Sequence, residues 1–185
     1  MIAAQPLPHF FASLRHLVRI VLMTLALAAM SVSAATDAYT EVNRLTSSGQ
    51  LDKALARADA YLAEKPRDPQ MRFLRGVALS EGGRKQEAEE VFLLLTREYP
   101  ELPEPYNNLA VLLAARQELD QARAHLETAI RNDPSYATAH ENLGDVLAQL
   151  AARSYAKALQ IQPGRSSIRL KMDQIRQMLN AAGRP

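Results

Sequence analysis

From residue 36 onward, apolar side chains recur at spacings of three and four, and proline, glycine or short polar runs interrupt them at regular places. That spacing lines up on one side of an α-helix, which turns once in about 3.6 residues. The pattern predicts helices over residues 36–47, 51–64, 69–81, 84–98, 103–115 and 119–132, with Gly49 and the pair Gly82-Gly83 serving turns. Asp52, Asp68 and Asp120 fall near helix N-termini. A carboxylate there caps free amides and meets the positive end of the helix dipole. Helices of this length do not persist alone in water, so stacking of neighbours must supply their stability.

The punctuation is periodic. Pro66, Pro100 and Pro134 are 34 residues apart, as are Ala54, Ala88 and Ala122, and so are Gly76, Ala110 and Gly144. Three series of different residue types keep one register, which a generic bundle has no reason to do. Small residues at these places let helix axes approach closely, and each proline stops the helix before it.

A period of 34 with this pattern resembles the tetratricopeptide repeat, a helix-turn-helix unit. The best copy is residues 103–136, with Tyr106, Leu109-Ala110, Leu113, Ala122, Leu126, Ala129 and Pro134 at the places of the family pattern. Residues 69–102 offer Gly76, Leu79, Ala88, Phe92 and Pro100, and residues 35–68 form a weaker copy with Leu45, Gly49, Ala54 and Pro66. The resemblance implies an all-α tetratricopeptide-repeat solenoid, with a fourth, abbreviated copy over 137–165.

That fourth copy has lost its turn. Leu143-Gly144 keeps the register of 34, but Pro163 comes only 29 residues after Pro134, so five residues are gone. LAARSY, residues 150–155, offers neither glycine nor proline for a turn, and alanine favours continuing. One uninterrupted helix is predicted from Ala137 to Gln162, with Leu143, Leu147, Leu150, Ala151, Tyr155, Ala158 and Leu159 on one side throughout. Pro163-Gly164 turns the chain into an amphipathic helix over 166–180, capped by Ser166, whose Ile168, Met172, Ile175 and Leu179 cover that stripe. Residues 181–185 are expected as a disordered tail.

The N-terminus has a different character. Arg15, His16 and Arg19 precede an apolar run from Ile20 to Met30, followed by small residues at Val32-Ser33-Ala34 and Ser33-Ala34-Ala35. This is the form of an export signal, cleaved after Ala34, which predicts a periplasmic protein of a Gram-negative bacterium. The competing reading, an uncleaved anchor, fits less well: the uncharged run from Ile20 to Ala35 falls short of the roughly 20 residues a spanning helix needs. No membrane span is expected once the signal is gone. Its removal leaves Lys+Arg and Asp+Glu equal at 20 each, unevenly spread. Residues 35–152 hold 13 basic and 19 acidic side chains, whereas 153–185 hold seven basic and one acidic.

Catalytic signatures are missing. There is no cysteine, no H-E-x-x-H, no G-x-S-x-G and no phosphate-binding glycine loop. His125 and His140 lie in different repeats and make a poor metal site; His140 holds the leading aromatic place of its repeat and is expected to be partly buried. No catalytic residue, metal or cofactor is called for. The basic C-terminal segment lacks the charge density and interleaved aromatics of a nucleic-acid binder.

What the resemblance implies about function is a groove lined by the first helix of every repeat, which binds a peptide or partner protein. The groove positions here are Tyr39 and Asn43, Phe73 and Val77, Asn107, Asn108 and Val111, and Glu141, Asn142 and Asp145. Asparagine amides donate and accept at once, which suits an extended backbone, and Asn108 and Asn142 are expected to form a short ladder. A surface role for these asparagines competes with that one. The variety that clamps a C-terminal carboxylate uses lysine and arginine in this groove, and these positions carry none. The expected function is a non-catalytic scaffold or adaptor in the cell envelope. A structural homo-oligomer joined through the C-terminal helices, and an enzyme or accessory subunit, are the alternatives.

Overall fold

The computed structural model describes residues 37–182, so the predicted export signal and its cleavage site lie outside the described residues. The described residues form eight helices and no strand: α1 (37–47), α2 (Leu51–Glu64), α3 (Pro69–Glu81), α4 (Lys85–Glu98), α5 (Pro103–Ala115), α6 (Leu119–Asn132), α7 (Ala137–Ile161) and α8 (Ser166–Ala182). Successive helices pack on one another along the chain, and α5 also packs directly on α7. That arrangement is a tetratricopeptide-type solenoid.

The helix ends follow from local chemistry. Proline opens α3 and α5, where its missing N–H would have had no partner. Asp68 caps α3 by accepting from the Met71 amide at 2.8 Å. Asp52 and Asp120 sit within the first turns of α2 and α6, where no side-chain cap forms; both meet the helix dipole, and Asp120 also accepts from Arg153 of α7 at 2.7 Å.

The turns inside the repeats share one geometry. Gly49, Gly83 and Gln117, each 34 residues from the next, have φ of 71°, 75° and 64°. The amides following them, of Gln50, Arg84 and Glu118, donate to the carbonyls of Leu45, Leu79 and Leu113 at 2.9, 2.9 and 3.0 Å. This is a left-handed helix stop, natural to glycine and sterically costly for Gln117. The next place in the series is Ala151, which lies in the middle of α7. The predicted uninterrupted helix is therefore present, ending at Ile161.

Packing explains the small residues, with one exception. Ala54, Ala88 and Ala122 are wholly buried, alongside Phe92 and Leu126. A methyl group on Gly76 would sit 2.6 Å from Phe92 Cε1, so α3 and α4 can approach only because that methyl is absent. Gly144, at the same repeat position, has nothing within 4 Å of such a methyl. The second helix that would pack over it has been carried away along α7.

The predicted single stripe on α7 is corrected. In the first half Ala139, Leu143, Val146 and Leu150 face the α5/α6 core, while Leu147 is 46% exposed. In the second half Ala151, Tyr155, Ala158 and Leu159 are half-buried as predicted, together with Ala152 and Ala156, but on a different side of the helix, whose middle is marked by Ala148, Ala152, Tyr155 and Leu159. Each lies nine residues after its counterpart, two and a half turns on, and so points to the opposite side of the rod. That second side is the one α8 covers, with Met172 buried and Ile168, Ile175 and Leu179 half-buried. Ser166 is the first residue of α8 rather than its cap, because the carbonyl that starts the helix belongs to Arg165. The helix also runs on to Ala182, two residues into the segment expected to be disordered.

Candidate functional site

The first helices of the repeats, α1, α3, α5 and α7, carry the ten groove positions, and the structure distributes these among different jobs. Tyr39 is half-buried: its hydroxyl donates to Asp68 Oδ2 at 2.6 Å and lies 3.0 Å from the Tyr61 hydroxyl, which donates to the same oxygen at 3.2 Å. The two rings are tilted with centroids 5.5 Å apart. Burial, then the hydrogen bonds to Asp68 and Tyr61, hold the Tyr39 phenol far above its usual value. Tyr39 thus ties α1 and α2 to the cap of α3, whereas Asn43 is exposed.

Phe73 and Val77 are half-buried against the first core cluster, and the Phe73 ring lies 5.8 Å from that of Phe92. Phe73 still lines a hollow of about 110 Å³ with Pro69, Gln70, Leu102, Glu104 and Pro105, between the starts of α3 and α5. A second hollow, of about 140 Å³, lies between α5 and α7, with Leu126 and Val146 among its lining residues. Val111, Asn142 and Asp145 line it as the groove reading requires, and Val111 is 47% exposed. Ala114 and Gln149 line it too and were missed. They lie three residues beyond Val111 and seven beyond Asn142, spacings that share a helix face and could have found them.

The asparagine ladder is corrected. Asn142 Nδ2 donates to Asn107 Oδ1 at 2.8 Å, and Asn107 is only 4% exposed. Asn108 instead donates to the Glu104 carbonyl of its own helix at 3.0 Å. Equivalent positions on neighbouring repeats point the same way and cannot meet head-on. The residue one place earlier on α5 is turned by about 100° and faces α7.

Glu104 lies close enough to Tyr136, at the start of α7, to add to the effect of burial in raising that phenol's pKa. Glu141 is exposed one helical position before Asn142, and Asp145 follows in the lining of the hollow. The larger depression lined by Pro66, Arg67, Arg72, Glu98 and Tyr99, about 610 Å³, lies elsewhere. In it Arg72 pairs with Glu98, and Tyr99 donates to the Arg67 carbonyl at 2.7 Å. It is a joint between repeats.

His140 is exposed rather than partly buried, with Nε2 3.1 Å from the Pro134 carbonyl. His125 is half-buried beside the Tyr106 ring, and burial lowers its pKa. Among the described residues no group of three or more His, Asp or Glu side chains is placed to hold a metal, and no helix is long and apolar enough to cross a membrane.

Residues 39–103 match a family profile described as tetratricopeptide repeat, and residues 112–150 match a second described as TPR repeat; together they span more than half of the chain. No curated protein matches the sequence. Among solved structures, the Sgt2 TPR domain from Aspergillus fumigatus is similar at 18% identity and a TM-score of 0.59, covering 64% of this chain and 80% of that one. The thermophilic TPR protein TTC0263 of Thermus thermophilus gives 21% and 0.54, covering 76% and 97%. The first TPR of Spaghetti (RPAP3), bound to the HSP90 peptide SRMEEVD, gives 19% and 0.56, covering 62% and 90%. At these identities the likeness is one of fold.

Proposed function

The chain belongs to the tetratricopeptide-repeat family, and from that membership we propose that it is a non-catalytic protein–protein interaction scaffold, holding a peptide or partner protein in the groove between its first helices. The observation that carries the reading is the hollow between α5 and α7, where half-exposed Val111 stands beside the Asn107–Asn142 amide pair. Once one amide has donated to the other, Nδ2 of Asn107 and Oδ1 of Asn142 remain, a donor and an acceptor of the kind a peptide backbone needs. The RPAP3 repeat, of the same fold, was solved with a peptide bound.

The same reading places the scaffold in the cell envelope. The basic, apolar and small-residue succession of residues 15–35 supports export and cleavage after Ala34, into the periplasm of a Gram-negative bacterium. Fractionation of cells followed by N-terminal sequencing tests this, and an intact N-terminus in the cytoplasm would overturn it.

Crosslinking in intact cells tests the groove. A partner trapped by the protein should be lost with Val111→Glu while the circular dichroism stays that of a folded helical protein; retention of the partner would sink the groove reading. A homo-oligomer through the C-terminal helices is the second reading, favoured by Ile161, Leu170 and Met178, which are 69%, 62% and 49% exposed. It predicts a particle larger than a monomer that becomes monomeric when these three are made polar.

A further inference from the structure

The charge around the α5/α7 groove narrows what it can hold. Asp145 lines it, Glu104 lies one helical turn before Asn108 on α5 and Glu141 next to Asn142 on α7, and none of the three is in an ion pair among the described residues. Three arginines of the first helices and their ends are engaged with other carboxylates: Arg72 with Glu98, Arg75 with Asp59, and Arg116 with both Glu89 and Glu118. The groove positions themselves contribute no lysine or arginine to offset the three charges. Field lines in a concave, partly apolar site concentrate, so like charge is rejected and opposite charge drawn in more strongly than on an open surface.

Two further observations point to an occupant. Asn107 is 4% exposed, and its Nδ2 has no acceptor among the described residues. Among the described residues no enclosed side-chain nitrogen or oxygen lacks a partner, so this amide nitrogen is not wholly enclosed, and it is joined through its own Oδ1 to Asn142, which lines the hollow. Beside it, the hollow of about 140 Å³ presents Ala110, Val111, Ala114 and Val146, room for one small aliphatic side chain.

We propose that the groove takes an extended segment of a partner protein in which lysine or arginine lies next to a small apolar residue, an inference that rests on the groove being the binding site. The aliphatic side chain enters the hollow beside Val111, and the amide pair meets the backbone. The cationic side chains reach Glu104, Glu141 and Asp145. Long cations snorkel well in such a place, because their methylenes lie on apolar wall while the charge stays at the rim.

The test uses three fluorescein-labelled nonapeptides, of alternating valine with lysine, with glutamate and with serine, and reads anisotropy on the purified protein. The lysine peptide should bind about tenfold more tightly than the serine peptide and lose that advantage between about 0.05 M and about 0.5 M salt. The glutamate peptide should bind weakest. The triple variant Glu104→Gln, Glu141→Gln, Asp145→Asn should bring the lysine peptide down to the serine peptide and leave the serine peptide unchanged. Equal binding of all three, preference for glutamate, or a triple variant that behaves as the parent overturns the proposal. Val111→Asn, which makes the hollow polar without adding charge, separates the two readings. If it leaves lysine-peptide binding intact, the groove itself is the wrong site; if it abolishes binding while the triple variant does nothing, only the charge inference falls. Sedimentation of the protein alone completes the test: a salt-sensitive dimer that the triple variant abolishes would assign the groove to the basic end of a second copy and overturn the separate partner.

Discussion

Asn142 Nδ2 donates to Asn107 Oδ1 at 2.8 Å, a bond between two first helices whose acceptor side chain is 4% exposed. Removing one member strands the other. Asn142→Ala should lower the stability by about 1 to 3 kcal/mol, the cost of a buried amide left without its partner. Asn108→Ala should change it by less than about 0.5 kcal/mol, since that amide serves only its own helix at a half-exposed site. Urea denaturation of the two variants is the check, and equal losses would contradict the pairing.

Gly76 and Gly144 occupy one repeat position and should respond oppositely to alanine. Gly76→Ala forces a methyl into the Phe92 ring, 2.6 Å away at Cε1, and should cost about 1 to 3 kcal/mol. Gly144→Ala adds a methyl in open space inside a helix and should gain about 0.5 to 1 kcal/mol. Thermal melts of both variants decide it.

Gln117 holds a φ of 64° at a place where Gly49 and Gly83 stand in the two preceding repeats. Gln117→Gly should raise the stability by up to about 1 kcal/mol, because relief of the left-handed strain exceeds the added freedom of the unfolded chain. Gln117→Val should do the reverse. A destabilised glycine variant would mean that the strain is already absorbed elsewhere.

Spin labels at Thr138 and Gln160 should lie about 33 Å apart, the length of an unbroken helix between them. Insertion of Gly-Asn-Tyr-Asp-Gln after Leu150 restores the missing turn, with glycine at the reversing place, and should shorten that distance by half or more, as α7 folds into a hairpin. A short distance in the parent protein would contradict the fused helix.

His125 titrates with a definite sign. Burial lowers its folded pKa below the ordinary value of about 6.5, so the folded state takes up a proton less readily than the unfolded chain. Its neutral form costs nothing above that value, and stability should fall as pH drops from about 6.5 through the lower folded pKa. His125→Gln should flatten this part of the profile. Urea titrations at a series of pH values would show it.

The helix limits were legible because prolines, glycines and apolar spacing act within one element. Even the fused α7 could be read, since the loss of five residues is visible in the spacing of Pro134 and Pro163. What failed had a single physical origin: register says which position a residue holds, but not whether a neighbour is there to meet it. Gly144 and His140 keep places that elsewhere are covered, yet the chain that would cover them has gone straight on. The reversal of the covered side along α7 escaped for a related reason, since periodicity along one helix does not report a change of partner. The groove was half legible. Val111, Asn142 and Asp145 line the hollow, whereas Tyr39 is drawn into a latch by Asp68, which lies 29 residues away.

A solenoid is a one-dimensional lattice, in which each unit offers the next one the same docking surface that it has itself used. Ala151, helical where Gly49, Gly83 and Gln117 reverse the chain, ends the translation by which that lattice grows. Among the described residues no copy of the surface that α6 gave to α7 follows α7, and α8 lies across the other side of the rod. The stack is therefore interrupted here by a lattice defect, the loss of five residues, rather than by a polar cap laid over a regular face.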